Sequence, residues 1–311
     1  MARETIVFSS AVDPIAPWRE GLEAALPDVA LRAPPELSAD DDVRYALVWK
    51  PPEGFFAAYP KLRLITILGV GADALAGRTD LPDVPIARLS DPAMAQMMAS
   101  YILFAVLRYA RDIDVFEAAQ RDRRWHYVHP REARLTRVGV LGLGELGGVA
   151  ATELARLGFD ISGWSRSPKT LPGVRTTSGI DALDAFLAET DILVVMLPLT
   201  GQTHHLLDAR RLALLPAGAK LINASRGAVV DEPAMIQALV SGQLGGATLD
   251  VFEREPLPTD HPLWTLPNVL ITPHLASVAL PASAAAQIAA NIRRLRSGEP
   301  VRHRVDLTRG Y

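Results

Sequence analysis

The run RVGVLGLGELGGVAATELARLG, residues 137–158, constrains this chain more than any other feature. A short β-prone stretch leads straight into Gly142, Gly144 and Gly147, and a stretch of helical character follows. The first glycine permits a tight turn, the second lets the backbone approach a pyrophosphate, and the third allows close helix-strand packing. The helix N terminus adds backbone donors and the positive end of its dipole for phosphate. A glycine-rich turn without a ligand would need none of this context. Strand, spacing and helix together predict a dinucleotide site, with Glu145 and Leu146 inside the turn.

From Arg137 onward the alternation continues: FDISGW, DILVVML, AKLINAS, ATLDVF and VLITP read as strands between helical stretches. Alternating strands and helices mean βαβ units and a parallel sheet. The first ninety residues repeat the pattern more weakly at TIVF, VRYALVW, LRLITIL and VPIAR. The expected fold is α/β, two doubly wound parallel-sheet domains of Rossmann and flavodoxin-like type, with the active site in the cleft between them. Gly158 is expected just past a helix end, and Asp208 and Asp231 as helix N-caps. One long helix is expected from Asp91-Pro92 to about Arg121, and another from Pro281 to about Ser297. The second returns the chain to its first domain. The expected division is 1–93 with 283–311 as a substrate-binding domain, and 94–282 as a dinucleotide-binding domain.

A length of 311 residues suits two domains. With no cysteine, disulfides, thiolate zinc sites and thiol nucleophiles are excluded. No metal site is expected. A net charge of −3 gives no footprint for a polyanion, so nucleic-acid binding is not expected. The start of the chain has no leader-like pattern, and the densest apolar run, residues 101–107, is too short to span a bilayer. No membrane partner and a cytoplasmic location are therefore expected. The chain has 28 arginines and 4 lysines, so no arginine earns a role merely by its type.

Where an NAD site usually carries an acidic residue for the adenosine ribose, this chain reads Ser165, Arg166, Ser167. A guanidinium flanked by hydroxyls suits a 2′-phosphate, which points to NADPH/NADP, with NADH weaker. In an Arg-rich chain a merely solvated Arg166 is the competing reading. Expected cofactor contacts continue at Leu197, Pro198, Ala224, Ser225, Asp250 and His274. Three strand-following segments carry the candidate chemistry: NASRGAVVDE with Arg226, LDVFEREPLP with Glu255, and ITPHLAS with His274, spaced 29 and 19 residues apart. Reducing a ketone by hydride requires a proton on the nascent alkoxide, which a His can give, and a carboxylate behind it stabilises the charged imidazole. A planar Arg can clamp a carboxylate bidentately. Taken singly, His274 could be structural and Glu255 a solvated loop carboxylate.

In order and spacing these segments resemble the Arg, Glu and His signatures of the D-2-hydroxyacid dehydrogenases. The resemblance implies that Arg226 binds the substrate carboxylate and polarises the ketone, that His274 is the acid/base, and that Glu255 is its partner. It also implies a glycine loop at LGVGAD, residues 68–73, where amides of Val70 and Gly71 hold the carboxylate. ALVWKPP, GWSRSPK, DVFEREPLP and the terminal RGY look most like the glyoxylate/hydroxypyruvate reductase A branch. That branch implies NADPH-dependent reduction of glyoxylate or hydroxypyruvate to glycolate or D-glycerate by a homodimer, with the helix after Asp91 at the interface. Trp49 and Trp125 are candidate pocket walls, although core packing is the default for either. Met97-Met98-Ala99-Ser100 departs from the Val-Ala-Glu element of many relatives. Two other readings stay open: a dehydrogenase for another small 2-oxo acid, and a non-catalytic dinucleotide-sensing corepressor of the same fold.

Overall fold

The computed structural model describes residues 3–307, so the terminal RGY lies outside the described residues. Two compact units divide the chain at Met94/Ala95 and Ser277/Val278.

The first unit holds a five-stranded parallel sheet in the order β2-β1-β3-β4-β5, built from β1 (Glu4–Ser9), β2 (Val29–Arg32), β3 (Asp42–Val48), β4 (Leu64–Ile67) and β5 (Ile86–Arg88). Central residues such as Val7, Leu47 and Ile65 are fully buried, as expected of parallel strands covered on both faces. The helix Ile15–Ala25 crosses the helix Pro281–Arg296 at Gly21, whose missing Cβ would stand 3.3 Å from Ala285. The returning C-terminal segment is tied in by polar contacts. The Gln287 amide donates to Arg88 O, Ser90 N donates back to it, and Val305 N donates to Ile86 O.

The second unit holds a seven-stranded parallel sheet: β6 (Arg137–Leu141), β7 (Asp160–Ser165), β8 (Arg175–Ser178), β9 (Ile192–Val195), β10 (Ala219–Asn223), β11 (Leu244–Leu249) and β12 (Val269–Ile271). Its order, β12-β11-β10-β9-β6-β7-β8, reverses direction between β6 and β9, and ligands bind beyond the carboxyl ends of strands at such a switch point. Asp208 and Asp231 cap their helices by accepting from Arg211 N and Ala234 N. The strands β2 and β8 were not expected. The first is only four residues long, and the second reads RTTS with no apolar alternation, so neither announces itself.

The long helix expected to reach Arg121 is instead broken. It runs Pro92–Ala110, and a separate helix runs Ile113–Arg121, because Asp112 takes a left-handed conformation (φ 53°) and its amide turns back to Tyr109 O. The Pro92–Ala110 helix is 19 residues and apolar enough to cross a membrane, longer than the run seen in the sequence, and 56% of its apolar window is buried. Ile102, Ala105 and Val106 pack with Val138 and Val194 in the core. Phe104 and Leu107 stay exposed on its other face.

In the first unit Arg296 bonds Glu4 Oε2 at 2.6 Å and Asp28 at 2.7 Å, and Tyr45 also donates to Glu4 at 2.6 Å. Burial would raise the Glu4 carboxyl, but the Tyr45 and Arg296 hydrogen bonds and the guanidinium charge outweigh it and hold it below its ordinary 4.5. A depressed carboxyl contributes stability above its unfolded value and loses it as pH falls through the folded one. Arg296→Met should therefore cost roughly 1 kcal/mol at neutral pH, and the gap should close in acid. Denaturant melts at both pH values check this, and an equal gap at both contradicts it.

Candidate active site

At the end of β6, Gly142 has φ 114°, and a Cβ there would meet Met196 O at 2.6 Å. A Cβ on Gly147 would stand 2.0 Å from Gly142 O, so the helix Glu145–Arg156 approaches the turn as only glycine allows. Gly144 opens onto free space, and Gly144 and Glu145 are exposed with Leu146 half-buried. Close packing behind and open backbone in front fit a pyrophosphate on this helix N terminus. Leu197, Ala224 and Ser225 are buried at the carboxyl ends of β9 and β10, and Pro198 is exposed.

The residues after β7 divide. Ser165 is buried and its hydroxyl donates to Ser167 O at 2.7 Å, so it shapes the turn rather than facing outward. Arg166, Ser167 and Lys169 are exposed. Lys169 follows Arg166 and Ser167 in SRSPK and is one of the chain's 4 lysines. Its carbonyl accepts from Thr176, which fixes the loop that carries it.

The catalytic candidates come together through backbone packing. Asn223, at the end of β10, accepts from Ser225 N and donates to Arg226 O, which sets the turn carrying Arg226. Gly227 lies so close to the chain after β11 that a Cβ would be 2.0 Å from the Phe252 carbonyl carbon. In that segment Glu255 spends one oxygen on Phe252 N at 3.1 Å and the other on His274 Nδ1 at 2.8 Å. Arg226 is half-buried, with Nη1 donating to Ser225 O. Glu255 thus engages Nδ1 of His274 and fixes the ring's orientation. A second pair, His205 Nε2 with Glu253 at 2.8 Å, lies on the neighbouring loops, and His204 stacks on His205.

His274 itself has φ 54°, a left-handed backbone that costs a non-glycine residue about 1–3 kcal/mol and persists only where its surroundings over-determine it. Asp250 supplies the surroundings. Its buried carboxylate accepts from Leu275 N, Ala276 N and Thr272 Oγ1 at 2.9, 2.9 and 2.6 Å, while its carbonyl accepts from His274 N. Tyr101 adds its hydroxyl to Thr272 at 2.6 Å, and burial pushes that phenol up to about 12, keeping it protonated. Thr272 and Tyr101 carried no sequence signal beyond composition.

In the first unit the loop after β4 carries Val70 and Gly71, both half-buried, and neither amide donates to a backbone carbonyl or side chain among the described residues. Trp49 is half-buried against this loop, its ring 2.7 Å from where a Gly69 Cβ would stand. Trp125 fits neither expectation. It is fully exposed, packing in no core and lining no wall of this chain, because its stretch, residues 122–132, has almost no buried side chain to hold it.

Residues 103–276 match the family described as D-isomer specific 2-hydroxyacid dehydrogenase, NAD binding domain. This chain belongs to the D-isomer specific 2-hydroxyacid dehydrogenases. It is an oxidoreductase working with a nicotinamide dinucleotide. A glyoxylate/hydroxypyruvate reductase A from Serratia proteamaculans is 41% identical over 94% of the chain and 96% of its own length. The crystal structure of a D-isomer specific 2-hydroxyacid dehydrogenase from Xanthobacter autotrophicus Py2, in complex with NADPH and MES, is 59% identical with TM-score 0.94, covering all of both chains. An NADPH-dependent glyoxylate/hydroxypyruvate reductase from Sinorhizobium meliloti, in complex with NADP and sulfate, is 34% identical with TM-score 0.91 over 99% of this chain and 100% of its own.

Proposed function

We propose that this enzyme reduces glyoxylate and hydroxypyruvate to glycolate and D-glycerate with NADPH. The observation that carries the reading is the His274–Glu255 pair at 2.8 Å, on a segment packed against the turn that presents Arg226. NADPH bound at the glycine turn supplies the hydride. Arg226 grips the carboxylate and polarises the ketone with its planar fork, and the amides of Val70 and Gly71 hold the same carboxylate. His274 delivers its Nε2 proton to the forming alkoxide, and Glu255 balances the charge of the imidazolium before transfer. Gly142, Gly144, Glu145, Leu146 and Gly147 hold the pyrophosphate, Leu197, Pro198, Ala224, Ser225 and Asp250 border the rest of the dinucleotide, and Arg166 with Ser167 takes the 2′-phosphate. The names of the Serratia and Sinorhizobium relatives support the substrate, and the dinucleotides in the two crystal structures support the coenzyme. The domain roles are assigned to the two units, residues 1–94 with 278–311 binding substrate and residues 95–277 binding the dinucleotide, close to the expected bounds of 93 and 283. The reading also places the enzyme in the cytoplasm.

Initial rates with a panel of 2-oxo acids and both coenzymes test this reading. Glyoxylate and hydroxypyruvate should lead branched and aromatic acids in kcat/KM, and NADPH should lead NADH. Arg166→Ala should remove most of the coenzyme preference, a loss of roughly ten- to a hundredfold for a charged contact. Equal use of both coenzymes contradicts the phosphate role, a bulky best substrate contradicts the substrate, and no turnover favours the dinucleotide-sensing alternative.

The reading also includes a homodimer. Phe104 and Leu107, one turn apart on the helix Pro92–Ala110, are 52% and 38% exposed, an apolar face that a second copy would cover. Light scattering should give twice the chain mass, and Phe104→Lys should shift it toward monomer. A monomeric parent contradicts the dimer.

A further inference from the structure

Beyond β3 the chain makes an unusual strap. Lys50 takes a left-handed backbone (φ 44°), and Pro51 and Pro52 follow, neither with an amide proton. Neither proline can donate from its backbone, so their carbonyls are held by donors from elsewhere. One side chain supplies them. Arg78 Nη1 donates to Pro51 O at 2.8 Å, and Nη2 donates to Pro52 O at 2.7 Å. The same guanidinium is held in place by Asp80, with Nε to Oδ1 at 2.8 Å and Nη2 to Oδ2 at 2.7 Å, and it lies 5.2 Å from the centre of the Phe56 ring. Asp80 also accepts from Phe56 N at 3.4 Å. Arg78 and Asp80 are only 11% and 16% exposed, so this is a built clamp and not a surface pair.

Trp49 is the residue immediately before the strap. Its own amide is fixed to Ser9 O, and its ring rests on Gly69, where any Cβ would come within 2.7 Å. The indole lies against the start of the loop that carries Val70 and Gly71, and the strap that follows it is secured at the Pro51 and Pro52 carbonyls by Arg78. We propose that Arg78 is a positioning residue that sets the size limit for substrate by fixing the Lys50–Pro52 strap and so the Trp49 ring. The inference rests on the reading of that loop as the holder of the substrate carboxylate. A lysine cannot replace the arginine, because four bonds in one plane need the guanidinium fork.

The test is the ratio of kcat/KM for 4-methyl-2-oxopentanoate to that for glyoxylate, with amide exchange over residues 49–58 measured alongside. Arg78→Met should raise the ratio about tenfold, the usual worth of a pocket constraint on one or two methylenes, and should speed exchange in the strap. Arg78→Lys should move both the same way, and Asp80→Asn should do so more weakly. A folded Arg78→Met with the parental ratio and parental exchange overturns the proposal. If that variant does not fold, Asp80→Asn is judged by the same two readouts. A parent that turns over no 2-oxo acid defeats the functional reading instead, and exchange alone then decides Arg78: faster exchange supports the clamp, and parental exchange overturns it.

Discussion

The carboxylate of Asp250 holds the segment that presents His274. It is 1% exposed, and a buried charge of this kind survives only with full hydrogen bonding. Three donors from residues 272–276 meet that need, and in meeting it they force His274 into a backbone it would not otherwise adopt. The strain at His274 and the burial of Asp250 are two sides of one arrangement. Glu255 then has only to reach Nδ1 for the imidazole to be fixed in both position and orientation.

The parallel sheet makes this arrangement possible. β10, β11 and β12 end side by side, so Arg226, Glu255 and His274, dispersed along the sequence, emerge at one edge. Gly227 lets the first of these turns touch the second, and Asp250 locks the second to the third. The glycine turn after β6 lies two strands away, at the reversal of strand order.

The features readable in the sequence were those where backbone geometry demands a residue type. The strand, turn and helix around Gly142 and Gly147 were visible because no other residue fits there, and the caps Asp208 and Asp231 because their side chains complete the helix ends. The remaining features have no residue type to mark them, some for local reasons and others because they depend on long-range contact. The break at Asp112 is a local conformation that an aspartate adopts without a glycine or proline to mark it. β8 is polar because it is an edge strand with little to bury. The inward turn of the Ser165 hydroxyl, the Tyr101–Thr272–Asp250 chain and the Arg78 clamp each join residues whose common types carry no signal until the fold brings them together.

If Glu255 and His274 work as one proton-transfer unit, paired pH profiles of the parent and of Glu255→Gln will show it. Reduction consumes the protonated imidazole and oxidation of the hydroxy acid needs the neutral one, so the first should fall and the second rise as pH increases. Taking away the carboxylate charge disfavours the imidazolium, so both limbs should move to lower pH in the variant. Profiles left where the parent has them would mean that Glu255 is not the partner of His274.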